Sequence, residues 1–290
     1  MEPMTDRSAP APAASTPALL AVCAGVISVH LGAAVAKGLF PLVGAEGVVA
    51  LRVGLSAVLL GLAFRVWRIR PNRTEAIALI AYGLILGVMN LMIYQAFARI
   101  PIGVAVSIEV IGPLAVATLA SRRPMDFAWI GLAALGLALL PLNGEPQGLS
   151  VAGVLFALAA AACWALYILF GSRVAGLGAG RSVAAGMVVA ALIAVPTGVV
   201  HAGAALLEPR VLAVGAAVAL LSSMVPYVLD MFAMGRLPRR VFGVLLSASP
   251  AVAALAGLII LDETLTPAQW TGVAAVVLAC AGAAWSSRRR

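Results

Sequence analysis

The chain has 290 residues, 63% hydrophobic and only 10% charged, with a formal net charge of +8 and a mean hydropathy of +1.10. Soluble domains carry roughly a quarter of their residues as charged side chains, so this composition excludes a soluble enzyme or binding module. The basic excess then reads as loop charge that orients membrane helices, with no call for a nucleic-acid partner.

Residues 1–16, rich in Ala, Pro and Ser, read as a disordered cytoplasmic tail. Apolar blocks between charged residues and Pro/Gly punctuation place spans at 17–36, 46–64, 76–98, 101–120, 126–142, 149–171, 182–200, 210–234, 240–260 and 266–286. Each is long enough to cross a hydrocarbon core of ~30 Å as a helix. The first run is too long for a signal-peptide core and is read as a retained span. It holds His30 and ends at Lys37; the second carries Arg52, and the third Asn90 and Tyr94. The fourth contains Glu109, the only ionisable residue between Arg99 and Arg122, followed by Pro113. Tyr167 lies in the sixth, Asp230 in the eighth, and Ser249 and Pro250 in the ninth. Cys23, Cys163 and Cys280 sit inside apolar runs, with neither a disulfide framework nor metal-ligand spacing, so no metal or cofactor is expected.

Basic residues alternate between the connections. One set holds Arg65, Arg68, Arg70 and Arg73, then Arg122 and Arg123, Arg173 and Arg181, Arg236, Arg239 and Arg240, and the terminal Arg288, Arg289 and Arg290, with Arg7. The other set holds Lys37, Arg99 and Arg210 beside Glu46, Glu145, Glu208, Asp262 and Glu263. The positive-inside rule therefore puts both termini in the cytoplasm.

Sliding the chain by 137 residues aligns Ala96, Arg99, Pro101, Val104, Pro113 and Ala117 with Ala233, Arg236, Pro238, Val241, Pro250 and Ala254. After a short insertion, Trp129 and Gly131 match Trp270 and Gly272. The repeat is five spans long, joined near Asn143–Leu149, and an odd number inverts the second half relative to the first. The expected fold is an all-α polytopic membrane protein with ten transmembrane helices in two inverted five-helix repeats, 17–145 and 146–290. Inverted repeats suit alternating access, because the same fold in two orientations can open to opposite sides.

The stretches AKGLFPLVGAEGVVALR (36–52), YGLILGVMN (82–90), EVIGPLAVA (109–117), SRRPMDFAW (121–129), CWALYIL (163–169), RLPRRVFG (236–243) and ETLTP (263–267) resemble the EamA-type branch of the drug/metabolite transporter superfamily, and within it the bacterial threonine/homoserine exporter type. The resemblance implies a ten-helix inner-membrane exporter of small amino acids driven by the proton gradient. His30 stands where that pattern has Gln, and Ser249 where it has Glu, which bears on proton stoichiometry and substrate preference.

An ionisable group near the bilayer centre costs at least ~2.5–3.5 kcal/mol on insertion scales, so it faces a cavity or a partner. Glu109 lies ~12 Å along the helix from Pro101 and is the candidate proton-coupling group, also able to meet a substrate ammonium. The competing reading is a structural ion pair or a hydrogen-bonded neutral carboxyl. An amino acid also needs a cation for its carboxylate, and Arg52 is the intramembrane candidate, against a standing bridge to Glu109 or snorkelling to the surface. His30, Asn90, Tyr94, Tyr167 and Ser249 are further candidate substrate contacts; packing and interhelical hydrogen bonding are the alternatives. Lys37 is the candidate gate residue of the outer side and Asp230 of the inner side, against ordinary interfacial placement. Pro113 and Pro250 are candidate hinges or packed kinks.

An enzyme has no support: there are two histidines, His30 and His201, and no H-E-x-x-H or G-x-S-x-G motif. A passive channel would carry a filter loop or charged rings, and an exporter of another metabolite or drug-like solute stays open as an alternative. The expected partners are a small amino acid, protons and the lipid bilayer, with a homodimer open as an assembly.

Overall fold

The computed structural model describes residues 16–119, 124–138, 149–234, 236–237 and 239–286. The expected tail over residues 1–15, Arg122 and Arg123, most of the join between the halves (143–148) and Arg288–Arg290 lie outside the described residues. Among the described residues, eight helices are long and apolar enough to cross a membrane, and two shorter apolar helices, Ile102–Val116 and Phe127–Ala138, accompany them. The chain is an all-helical polytopic membrane protein.

Helix α1 (Thr16–Lys37) turns at Gly38 and Leu39 into α2 (Phe40–Ala63). Gly44 interrupts α2 with φ 69° and ψ 172°, a conformation that glycine adopts without a Cβ clash. The second helix therefore starts before residue 46, with its first turn bent away. Helix α3 (Arg73–Phe97) begins ahead of residue 76 because Asn72 and Glu75 form a capping box: Asn72 Oδ1 accepts from Glu75 N–H at 2.9 Å, and Asn72 N–H donates to Glu75 Oε2 at 2.9 Å.

The expected fourth span is broken into α4 (Ile102–Glu109) and α5 (Ile111–Leu119). The cause is local. Pro113 has no N–H to give the carbonyl four residues back, which belongs to Glu109, the last residue of α4. The ninth span repeats this: α11 (Arg239–Leu246) ends four residues before Pro250, and α12 (Ser249–Leu261) restarts beside that proline.

The remaining helices are α6 (Pro124–Ala138), α7 (Val151–Val174), α8 (Ala179–Ala202), α9 (Pro209–Ala219), α10 (Val225–Met234) and α13 (Pro267–Ser286). Between α9 and α10 the chain stays helical but widens into a π-turn at Leu220–Met224. Helix α13 is capped as α3 is, with Thr266 N–H donating to Gln269 Oε1 at 2.9 Å and Gln269 N–H to Thr266 Oγ1 at 3.2 Å.

Helix α2 packs along α8, and α6 along α13. α3 lies against α7 and α8, while α1 lies against α10, α11 and α12; α4 crosses α12, and both α4 and α5 touch α7. In lipid no hydrophobic difference drives helices together, so close packing of small residues must do it. The core is accordingly rich in buried alanine. At the α4–α12 crossing, a Cβ on Gly103 would sit 2.6 Å from Ala254 Cα; in α3, one on Gly83 would sit 2.7 Å from the Gly186 carbonyl of α8.

Gly103→Val should therefore lower stability in detergent by about 1–3 kcal/mol through overpacking, measured by thermal or denaturant unfolding. Gly131→Ala, whose added Cβ meets nothing within 4 Å, should leave the transition in place.

Candidate functional site

The site begins with Arg52, carried on α2 past the Gly44 kink. Its Nη1 donates to Asn90 Oδ1 at 2.9 Å and to Tyr94 Oη at 3.4 Å, both on α3. Nη2 donates to the Ser222 main-chain oxygen at 3.3 Å, across to the π-turn. The guanidinium carbon stands 5.4 Å from the Tyr94 ring centroid. Asn90 and Tyr94 are one helical turn apart and so present their oxygens on one face. Asn90 Nδ2 donates to the Leu86 carbonyl at 2.8 Å, which turns its oxygen toward Arg52. Tyr94 is wedged between Phe40 and Phe97, with ring centroids at 6.1 and 5.3 Å.

Every acceptor on Arg52 is neutral. A guanidinium has five N–H donors, so its Nε–H and one Nη2–H have no acceptor among the described residues. Glu109 is buried at the end of α4, 9% exposed, and makes neither a hydrogen bond nor an ion pair among the described residues. The standing Arg52–Glu109 bridge is not formed. The Arg52 charge nevertheless lies close enough to act on both Glu109 and the buried His30. The Glu109 charge in turn acts on Cys163 of α7. Arg52, Asn90, Tyr94, His30 and Glu109 thus form one electrostatic neighbourhood, with a cation and a carboxylate held apart.

Toward the Lys37 end of the bundle the polar groups close on one another. Lys37 Nζ pairs with Glu263 Oε1 at 2.5 Å and donates to the Ile100 carbonyl at 3.2 Å. Glu263 Oε2 accepts the Ile102 N–H at 2.9 Å, at the positive start of α4. One carboxylate therefore ties α1, α4 and the α12–α13 connection together. Beside it, Glu46 accepts from Gln95 Nε2, and Arg99 Nη1 donates to Gln95 Oε1 and to the Gln95 carbonyl.

The opposite end is aromatic and loosely bonded. Tyr82 Oη donates to Tyr167 Oη at 2.6 Å, with the rings stacked at 4.6 Å, and Phe64 meets Tyr227 edge-on at 5.7 Å. The Tyr227 hydroxyl and Asp230 Oδ1 are buried without hydrogen-bond partners among the described residues. Asp230 abuts Gly25 of α1, where an added Cβ would sit 3.4 Å from its oxygen. Tyr167 thus belongs to a tyrosine cluster and makes no polar contact with Arg52. Ser249 heads α12 at the second helix break, also without polar contact to Arg52.

The family model described as "EamA-like transporter family" matches residues 151–285. The threonine/homoserine exporter RhtA of Salmonella typhimurium (strain SL1344) is 46% identical over 272 residues, covering 93% of this chain and 92% of its own. The chain belongs to the EamA-like transporter family. The same-named exporter of Escherichia coli (strain K12) is 46% identical over 263 residues, covering 90% and 89%. A solved crystal structure aligns over 96% of this chain and 98% of its own with a TM-score of 0.60 at 21% identity, a likeness of fold alone.

Two site residues of this EamA-type chain escaped the sequence reading. Glu263 stood only as a loop charge, and its partner Lys37 is 226 residues away. Ser222 contributes a main-chain oxygen, which no side-chain search finds; the signal was Pro226, four residues on.

The Lys37–Glu263 pair is mostly shielded from solvent, so removing one partner strands the other. Lys37→Met and Glu263→Gln should each cost about 1–3 kcal/mol. The double variant should cost clearly less than their sum, in a mutant cycle read by unfolding in detergent.

Proposed function

We propose that this protein is an inner-membrane secondary transporter that exports small neutral amino acids of the threonine/homoserine class in exchange for protons. Arg52 carries the reading. A half-buried guanidinium held only by neutral acceptors among the described residues, with two N–H groups to spare, suits a carboxylate brought by the substrate. Unpaired Glu109 lies within the field of Arg52 and suits the substrate ammonium or a proton, so the two charges match a zwitterion. The relatives' names, threonine/homoserine exporters, set the substrate class. A site that bonds a substrate hydroxyl discriminates strongly against an analogue lacking it.

The transport cycle is alternating access between two inverted repeats of five spans, with both termini in the cytoplasm. The packing pattern supports the two related halves. Exchanging the halves turns the α3–α7 contact into α10–α1, the α3–α8 contact into α9–α2 and the α4–α7 contact into α11–α1, while α2–α8 and α6–α13 map onto themselves. The helix breaks before Pro113 and Pro250 exchange as well, and both are natural hinges. In this conformation the bonded Lys37–Glu263 cluster is the closed outer gate, and Asp230, whose Oδ1 has no hydrogen-bond partner among the described residues, is a residue of the released inner gate.

The decisive experiment is labelled threonine flux in proteoliposomes with and without a pH gradient. The wild type should show saturable exchange and gradient-driven accumulation. Glu109→Gln should keep the exchange and lose the accumulation. Undiminished accumulation by Glu109→Gln would sink the coupling role, and absence of any threonine flux would sink the substrate class.

A further inference from the structure

The π-turn raises a question that the substrate reading leaves open: why is a main-chain oxygen in the middle of a membrane helix available to Arg52? In a regular helix the Ser222 carbonyl would accept from the N–H four residues ahead. That residue is Pro226, which has no N–H. The N–H of Val225 is also displaced, since it donates to the Leu220 carbonyl in the wider π pattern. Two carbonyls, Leu221 and Ser222, are thereby left over in a region where hydrocarbon offers no donor.

Both are taken up from other helices. Ser28 Oγ on α1 donates to the Leu221 oxygen at 2.7 Å, and Arg52 Nη2 on α2 donates to the Ser222 oxygen at 3.3 Å. Helix α1 comes this close because position 32 is glycine: a Cβ there would lie 3.0 Å from Leu221 Cβ and 3.2 Å from Ser222 N. Pro226, in turn, packs against Gly25 of the same helix.

We propose that Pro226 is a positioning residue for substrate recognition: it opens the π-turn whose Ser222 carbonyl orients the Arg52 guanidinium, and Ser28 holds the turn open. The inference rests on Arg52 as the substrate-carboxylate donor. With Asn90 and Tyr94 holding Nη1 and Ser222 holding one Nη2–H, the guanidinium is fixed at three points. Its remaining two N–H groups are pre-oriented for a bidentate carboxylate. Proline acts here by what it withholds. An N–H at position 226 would claim the Ser222 oxygen, close the turn to an ordinary helix and leave Nη2 unanchored.

The test is concentration-dependent threonine exchange in proteoliposomes for the wild type, Pro226→Ala, Ser28→Ala, Arg52→Gln, the Arg52→Gln/Pro226→Ala double variant, and Pro196→Ala as a control proline in α8. Pro226→Ala supplies the missing N–H and should raise KM roughly tenfold with the maximal rate little changed. Ser28→Ala should shift KM in the same direction by less, and it carries the test if Pro226→Ala does not assemble. Pro196→Ala should leave KM alone. In the Arg52→Gln background, Pro226→Ala should add nothing, because the group it positions is gone. Unchanged KM in both Pro226→Ala and Ser28→Ala, or full additivity of Pro226→Ala with Arg52→Gln, overturns the positioning role while leaving Arg52 as the carboxylate donor. Unchanged KM in Arg52→Gln itself overturns the substrate reading, and the positioning role with it.

Discussion

A carbonyl that loses its helical N–H inside a bilayer must find another donor, because no water is there to supply one. Much of this structure follows from where that happens. Pro113 takes the partner from Glu109 and ends α4; Pro250 does the same to Leu246 and ends α11. Pro226 takes the partner from Ser222, but here the helix continues through a π-turn, and the freed oxygen is bonded by a side chain from another helix. The three prolines place two breaks and one widened turn in the spans that carry Glu109, Ser249 and the Arg52 anchor.

The charged groups are arranged on the same principle. At the Lys37 end, three of the charges are bonded: Lys37 to Glu263, Glu263 to the start of α4, and Glu46 to Gln95. In the middle, among the described residues, Arg52 has hydrogen bonds but no ion-pair partner, and Glu109 has neither. Toward the other end, Asp230 Oδ1 and the Tyr227 hydroxyl are unsatisfied. Buried polar groups are ordinarily bonded, and here the unbonded ones run from mid-span toward one end.

Packing by small residues brings the helices of this molecule close together. The helices are not glued by expelled water, and the contacts at Gly83, Gly103 and Gly32 are close approaches of backbone to backbone or to short side chains. Such surfaces hold no interlocked long side chains, and the few long-range polar bonds tie particular helices to one another.

The sequence by itself determined the class of the protein, its apolar spans, its family and most of the residues at its centre. Hydrocarbon permits few polar side chains, so Arg52, Asn90, Tyr94, His30 and Glu109 stood out against an apolar background before any contact was known. It also marked Pro113 and Pro250, because a missing N–H is a local property. Helix ends were less legible, since the Gly44 bend and the Asn72–Glu75 cap depend on local backbone geometry that span-counting ignores. Only the tertiary structure decided who meets whom. It separated Arg52 from Glu109, sent Tyr167 to Tyr82, and brought Lys37 to Glu263 across most of the chain. It also recruited the oxygen of Ser222, a group every residue possesses and one whose availability depends on how the helix around it is wound.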